Sequence, residues 1–252
     1  MGNVKRLLVK AAGLVALFSV LNANASIITV GTFTGGDVGE GLDFDGNFVY
    51  AVNARGAGGF SIGDATFTTD TTQGVSLSAV NEILNWHTAD YGNTANDNNL
   101  ETVMRSIRWS PRVSSGNQLS TYKEDVLTID LANLNVGATY SLQLLFAENC
   151  CTRGFDVFLE GSKAVDNFAP YVVQSTGLSS PIVRTPNVGA FIRYDFTASD
   201  SVLNIAFGGD APFSDNNPII NGFTLEATEV SAPSTLAIFA FGLISLTRLR
   251  RK

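Results

Sequence analysis

Short apolar runs with a period of two recur along this chain, and they constrain its fold more than any other feature. Tyr140, Leu142, Leu144 and Phe146 form one apolar face, and residues 126–131 repeat the alternation. This spacing puts alternate side chains on opposite faces of a β-strand and does not fit the 3.6-residue period of a helix. Stretches rich in Gly, Asn, Thr and Ser separate the runs and favour turns. The sequence therefore predicts an all-β fold, a β-sandwich.

Three regions are predicted: a signal peptide (residues 1–25), a single β-sandwich domain (26–229) and a sorting or anchor segment (230–252). No linker or internal repeat divides the central region. One helix is predicted at about residues 77–86, ahead of a polar stretch over residues 87–99. The remaining predicted strands lie at residues 27–33, 48–52, 155–159, 192–196, 203–207 and 219–225.

The N-terminal region has the three parts of a secretory signal. Lys5 and Arg6 form a basic start, residues 7–20 are mostly apolar, and the small-residue site Ala-Asn-Ala ends at Ala25. We expect cleavage between Ala25 and Ser26, and hence export. The alternative is an uncleaved transmembrane anchor, which the short apolar run disfavours.

The C-terminal region has three parts. A Pro-Ser-Thr sequence precedes an apolar stretch over residues 236–246 and a terminal basic cluster. In the order of these parts the region resembles the PEP-CTERM sorting signal of Gram-negative bacteria, although the family's Pro-Glu-Pro triplet is Ser-Ala-Pro here. The resemblance implies processing by exosortase-like machinery and a tether to the inner membrane, with the basic cluster left in the cytoplasm. An ordinary C-terminal core helix is the alternative. The residues concerned are Pro233, Ser234, Thr235, Arg248, Arg250 and Arg251.

The charges are unevenly distributed between the ends and the body of the chain. The whole sequence has 16 basic and 23 acidic residues, a net charge of −7. Seven of the basic residues lie in the two terminal regions, so residues 26–229 carry nine basic and 23 acidic residues, a net of −14. Such a surface repels nucleic-acid phosphates and anionic lipid. We therefore expect no nucleic-acid partner, and a ligand that is a neutral sugar or an acidic one bridged by calcium.

Five segments in the second half of the chain carry short motifs, at residues 140–148, 153–157, 166–168, 203–207 and 217–223. In kind and order they resemble the malectin domain. In that family a strand of the type Tyr-x-Val-x-Leu-x-Phe-Ala-Glu is followed by Arg-x-Phe-Asp-Val, and the domain closes with Asn-Pro-x-Ile-Asn. The resemblance implies a jelly-roll β-sandwich of the galactose-binding-like kind, with carbohydrate recognition by loops at one end and no catalysis. It leaves open whether Glu148 and Arg153 pair with each other or contact ligand.

Aromatic residues in loop-like sequence are the candidates for sugar binding. A sugar site needs an aromatic face for the ring and polar groups for its hydroxyls. An Asn-rich stretch beside several of them, residues 93–99, offers oxygens that calcium could use, but it lacks the spacing of a calcium loop and is predicted to be a solvated turn. No cofactor or metal is therefore predicted, although calcium is a possibility. The candidate residues are Trp86, His87, Asp90, Tyr91, Trp109, Tyr122 and Tyr171.

The sequence does not support an enzyme. His87 is the sole histidine, so a Ser-His-Asp triad would have to be built on it, and no zinc-ligand spacing is present. A glycosidase needs only two carboxylates, so it remains an alternative. We predict a non-catalytic carbohydrate-binding protein of the bacterial envelope or extracellular matrix, with polysaccharide or glycan as its partner. A structural matrix protein that uses the sandwich for protein contacts is the competing hypothesis.

Cys150 and Cys151 are adjacent in sequence. A trans peptide bond holds their Cα atoms about 3.8 Å apart, closer than the ~4.4–6.8 Å usual for a disulfide. An exported protein nevertheless meets conditions in which disulfides persist. A vicinal disulfide that stiffens a ligand loop and a pair of buried free thiols are both compatible with the sequence.

Overall fold

A computed structural model describes residues 26–111, 126–175, 187–208, 212–213 and 215–228 of the chain. The signal peptide and the sorting segment that the sequence predicts lie outside these residues, apart from Ser26. Two helices are found in the described part, α1 (Ala95–Met104) and α2 (Pro170–Val173). Neither has the length and apolarity needed to span a membrane. The strands are β1 (Ile27–Phe33), β2 (Phe48–Asn53), β3 (Phe60–Ile62), β4 (Ala65–Thr69), β5 (Val75–Ser78), β6 (Asn81–Ile83), β7 (Ile107–Trp109), β8 (Leu127–Ala132), β9 (Thr139–Phe146), β10 (Phe155–Leu159), β11 (Ser162–Phe168), β12 (Gly189–Thr197), β13 (Val202–Gly208), β14 (Ile219–Ile220) and β15 (Gly222–Thr228).

The strands form a seven-stranded sheet, a five-stranded sheet and a small three-stranded sheet. Their orders are β1-β12-β9-β15-β2-β4-β3, β11-β10-β13-β8-β5 and β14-β7-β6. All pairings are antiparallel except β2 with β4. The two larger sheets enclose most of the buried apolar residues, so the all-β sandwich predicted from the sequence is confirmed.

Alternating side chains fill the space between the two larger sheets, which we call the principal core. On β8, Leu127, Ile129 and Leu131 are fully buried while the residues between them are half-buried, as the period of two predicts. An aromatic cluster lies at the centre, where the Phe146 ring is 4.8 Å from Phe168 and 6.2 Å from Phe207 by centroid. Tilted and edge-to-face rings at these distances stabilise a core beyond the area they bury.

A second core covers the outer face of the seven-stranded sheet. Leu145 of β9 points into it, together with Phe33 of β1 and the apolar face of α1 formed by Leu100 and Val103. As a result, β9 is buried on both faces. The alternation in the sequence identified only the face that points into the principal core.

The predicted helix at about residues 77–86 is wrong. Those residues form β5 and β6, and the apolar spacing that imitates a helix includes Val80 and Leu84, which are 71% and 54% exposed. The helix occurs instead in the polar stretch that the sequence analysis treated as a solvated turn. Thr94 and Asp97 form a capping box at the start of α1, and this local signal outweighs the polar composition of its first turn.

Asn221 joins three parts of the fold through its buried side chain. Its Oδ1 atom accepts a hydrogen bond from the Ala147 amide at 2.7 Å, just beyond β9. Its Nδ2 group donates to the carbonyls of Met104 and Ser106 at 2.8 and 3.0 Å, at the end of α1 and before β7. The residue is fully buried, so water cannot replace these partners. This explains the role of the Asn-Pro-x-Ile-Asn sequence: its last residue holds a helix end and two strand ends together.

Replacing Asn221 with Leu keeps the volume and leaves one amide and two carbonyls buried without partners. Each such group costs about 1–3 kcal/mol, so we expect the free energy of unfolding to fall by at least about 3 kcal/mol. Urea denaturation of the purified protein measures this change. Asn98→Leu, at an exposed position on α1, is the control and should change stability little. Equal stabilities for the two variants would contradict the role given to Asn221.

Candidate functional site

The loop between β9 and β10, residues 147–154, is built around a buried carboxylate, and we call it the disulfide loop. Glu148 is only 1% exposed. Its Oε1 atom accepts hydrogen bonds from the amides of Asn149, Cys150 and Cys151, each at 3.0 Å. Successive backbone amides that converge on one anion fix the path of the chain. The Glu148 carboxylate therefore organises the backbone of this loop.

Arg153 balances the Glu148 charge and connects the disulfide loop to two other loops. Its Nε atom lies 2.6 Å from the Glu148 Oε2 atom. The guanidinium carbon is 5.0 Å from the centroid of the Trp86 ring, within range of a cation–π interaction. Its other nitrogens lie 3.9 Å from the Asp215 carboxylate and 3.5 Å from the Asn217 carbonyl. Of the two roles left open for Glu148 and Arg153, the structure shows the ion pair.

Burial and the polar contacts of Glu148 have opposite effects on its pKa. Burial raises the pKa above its usual value, while the Arg153 guanidinium and the amides of Cys151, Cys150 and Asn149 lower it and partly offset that rise. The side chain is shielded from solvent and both of its oxygens are engaged. Glu148 therefore supports the loop and is not accessible to a ligand.

Cys150 and Cys151 are joined by a disulfide at the tip of this loop. Cys150 is exposed to solvent, whereas Cys151 is half-buried against the principal core. The Arg153 Nη2 group lies 3.9 Å from the Cys150 sulfur. Of the two states left open for the cysteines, the structure contains the vicinal disulfide. The disulfide places polarisable, weakly polar sulfur on a loop whose backbone amides are bound by the buried Glu148 carboxylate.

Buried amide side chains tie the disulfide loop to its neighbours. The Gln174 Oε1 atom accepts a hydrogen bond from the Glu148 amide at 2.7 Å, and its Nε2 group donates to the Val188 carbonyl at 2.8 Å. The Asn149 Nδ2 group donates to the Trp86 carbonyl at 2.7 Å. The loops that follow β6, β9 and α2 therefore meet at one end of the sandwich, which we call the loop end.

Two half-buried aromatic rings lie at the loop end. Tyr171 of α2 and Phe213 make an edge-to-face contact with centroids 6.4 Å apart. Phe213 packs so closely over Gly154 that a Cβ atom there would overlap the ring. Tyr171 is among the candidates predicted from the sequence, whereas Phe213 is not, because it lies in an irregular segment with no apolar period. The contact between Gly154 and the Phe213 ring joins residues far apart in the sequence, so it is seen only in the structure.

Three of the proposed ligand-binding residues are core residues, which corrects the site predicted from the sequence. Trp86, His87 and Tyr91 are 7%, 3% and 6% exposed. The Trp86 indole nitrogen donates to the Ala147 carbonyl at 2.6 Å, and the Tyr91 ring packs 5.6 Å from Phe33 in the second core. Their loop folds back onto the sandwich, so these rings face inward and cannot stack on a sugar.

The other proposed residues have different locations. Asp90 is exposed, and its amide donates to the Asn187 Oδ1 atom at 3.2 Å beside the loop end. Trp109 lies on β7 opposite Ile219 and is half-buried against the principal core. Ser26 is exposed at the start of the described chain. Outside the described residues are Tyr122, Ala25, Pro233, Ser234, Thr235, Arg248, Arg250 and Arg251.

A cluster of three acidic side chains lies near the start of α1, away from the disulfide loop. The carboxylate oxygens of Asp37, Glu40 and Asp97 fall within 4.8 Å of one another. Burial acts to raise the pKa of Asp97, but hydrogen bonds from the amides of Gly36 and Thr94 and from neighbouring side chains hold it below its usual value. Calcium prefers such oxygens. Because Asp97 already caps α1 and anchors Gly36, its burial is explained by the fold, and we assign no metal here.

The comparisons with known proteins concern the fold. No family model and no curated protein matches the sequence. The structure of the plant receptor-like kinase FER is 15% identical over 73% of this chain and 50% of that chain, with a TM-score of 0.51. The ANXUR1 extracellular domain from Arabidopsis thaliana is 14% identical over 79% of this chain and 54% of that chain, with a TM-score of 0.49. A calcium-binding mutant of Bacteroides uniformis beta-glucuronidase 2 is 13% identical over 80% of this chain and 18% of that chain, with a TM-score of 0.41.

The chain therefore spans about half the length of the two plant structures and less than a fifth of the glucuronidase. The similarity to FER is one of fold: this chain has a malectin-like β-sandwich. The fold implied by the sequence resemblance is thus confirmed.

Replacing Glu148 with Gln removes the charge that balances Arg153 while preserving the shape of the side chain. Because Arg153 is then left buried without its closest counter-charge, we expect the free energy of unfolding to fall by about 3 kcal/mol or more. Chemical denaturation measures it. Asp90→Asn, the same kind of change at an exposed position of the loop end, is the control and should leave stability unchanged. A Glu148→Gln variant as stable as the control would show that the ion pair does not hold the loop.

Proposed function

We propose that this protein is an exported, non-catalytic carbohydrate-binding protein that binds neutral polysaccharide or glycan at the loop end. The observation that carries the proposal is the disulfide loop itself, in which a buried ion pair and three amide hydrogen bonds hold an exposed disulfide in place. A loop fixed before binding loses little conformational entropy when a ligand arrives.

The surface chemistry of the loop end supports a sugar as the ligand. The exposed residue Cys150 and the half-buried rings of Tyr171 and Phe213 provide apolar surface for the face of a sugar ring. Asp90 is exposed and Asp215 half-buried nearby, and their oxygens are acceptors for sugar hydroxyls. The net charge of −14 over residues 26–229 favours neutral sugars over anionic ones.

The export route and location form part of the same proposal. We infer a signal peptide cleaved after Ala25, a PEP-CTERM-like segment over residues 230–252 processed by exosortase-like machinery, and a final location in the bacterial envelope or extracellular matrix. A tether to the inner membrane through the C-terminal segment precedes release. The vicinal disulfide suits a protein that works in an oxidising compartment.

Glycan binding by the purified protein tests the proposal. A panel of neutral oligosaccharides should include a ligand whose affinity falls roughly tenfold, the equivalent of about 1.4 kcal/mol, in Tyr171→Ala. Replacing both cysteines with Ser should weaken the same ligand by loosening the loop. Phe60→Ala, which removes a half-buried ring from edge strand β3, is the matched control and should bind the neutral ligand normally. Unchanged affinity in Tyr171→Ala and in the cysteine variant would place binding elsewhere.

A structural matrix protein is the second candidate, and one observation favours it. Edge strand β1 carries no charged residue, and its Ile27, Ile28 and Val30 are 59%, 38% and 42% exposed. Unprotected apolar edges of this kind pair with other chains. Self-association in sedimentation experiments, together with no binding to any glycan, would favour this function over the first. Sugar release that is lost on removal of a single carboxylate would instead favour the glycosidase alternative.

A further inference from the structure

A cleft with a volume of about 210 Å³ opens at the end of the sandwich opposite the loop end, and we call it the aromatic cleft. Leu134, in the loop between β8 and β9, lines it, as does Thr197, which pairs with the first residue of β9, Thr139. The disulfide loop follows Phe146 at the other end of the same strand. About 24 Å of extended chain separates these two ends. The aromatic cleft is therefore distinct from the site proposed above.

One wall of the aromatic cleft is a stack of aromatic rings. The rings of Tyr194 and Phe196, two residues apart on β12, are nearly parallel at 8° with centroids 4.8 Å apart. Phe196 in turn stacks on Tyr140 at 5.7 Å, and the Tyr140 hydroxyl accepts a hydrogen bond from the Asn135 amide. Phe196 is buried and Tyr194 is half-buried, so the wall is rigid at its base and reaches solvent. A fixed aromatic wall suits the apolar face of a small ring.

Two carboxylates stand at the exposed rim of the aromatic cleft. The Glu160 Oε1 atom accepts a hydrogen bond from the Asn204 amide at 2.7 Å, and the Asp200 Oδ1 atom accepts one from the Val202 amide at 2.8 Å. These bonds orient both side chains. Within the described part of the chain, the second oxygen of each carboxylate has no hydrogen-bond partner, so both are available to a ligand.

The charges of the residues that line the aromatic cleft indicate what kind of ligand it can bind. None of the nine residues that line the aromatic cleft is basic, so the lining contributes two negative charges and no positive one. Thr197 also lines the cleft, and its hydroxyl is buried with no hydrogen-bond partner among the residues that the structure describes. Aromatic rings and two carboxylates in one cleft favour a ligand that combines an apolar face with a positive charge.

We propose that the aromatic cleft is a second binding site, which accepts a hexosamine with a free amino group. The ring packs against Tyr194, and the ammonium group lies between Glu160 and Asp200. The volume suits a single sugar unit. This site differs from the loop end in position and in the charge of its ligand, so each can fail in experiment without the other.

Titration of the ¹⁵N-labelled protein with glucosamine, N-acetylglucosamine and glucose tests the site. Glucosamine should shift the amide resonances of residues 197–202, and its affinity should exceed that of the two neutral sugars at least tenfold at low salt. Raising the ionic strength should reduce this preference, because exposed charges are screened. Shifts confined to the disulfide loop, equal binding of all three sugars, or no binding of glucosamine would overturn the proposal.

Variants separate the contribution of charge from that of the ring. Asp200→Asn and Glu160→Gln keep the acceptor oxygens that bond Val202 and Asn204 and should each weaken glucosamine binding about tenfold. Tyr194→Leu should weaken it as well, and its folding is checked by the unchanged remainder of the spectrum. Asp45→Asn, the same loss of charge at an exposed residue that belongs to neither proposed site, is the control and should bind glucosamine normally. If Asp200→Asn and Glu160→Gln bind as tightly as this control, the site is not the aromatic cleft.

Discussion

The buried ion pair between Glu148 and Arg153 is the interaction on which the loop end depends. Glu148 collects three successive amides of its own loop, while Arg153 lies against Trp86 and reaches Asp215 in a loop far along the chain. Burying two charges is costly unless they are paired and their remaining hydrogen-bonding capacity is satisfied. Here that requirement fixes the geometry, since the charges are well paired only when the loops take their native positions.

The sandwich connects the loop end to the rest of the fold. β9 is buried on both faces, so it packs in the principal core on one side and against the second core on the other. Asn221 bonds the amide of Ala147, one residue before Glu148, and so joins the end of β9 to α1 and β7. The loop end therefore follows a strand that is buried on both faces, and contacts in both cores support a site there.

The alternation of apolar and polar residues predicted the strands well, because in a strand that covers a core every second side chain is buried. Leu127, Ile129 and Leu131 show this, each buried as the alternation requires. The Glu148–Arg153 pair was also among the predicted possibilities, since the two residues flank one loop. The sequence could not identify which loop aromatics face inward: Trp86 and Tyr91 are core residues because their loop folds back, a long-range event that no local spacing records. Helix α1 was missed because a capping box within an Asn-rich stretch resembles a turn.

Hydrogen exchange at the amides of Asn149, Cys150 and Cys151 tests most directly whether the loop end is organised before any ligand binds. Asn149 and Cys150 are exposed, so an ordinary surface loop would exchange these amide hydrogens rapidly. We predict protection close to that of β9 in the ligand-free protein, because all three amides donate to the buried Glu148 carboxylate. Exchange of the three amides at the rate of an unstructured turn would contradict this account.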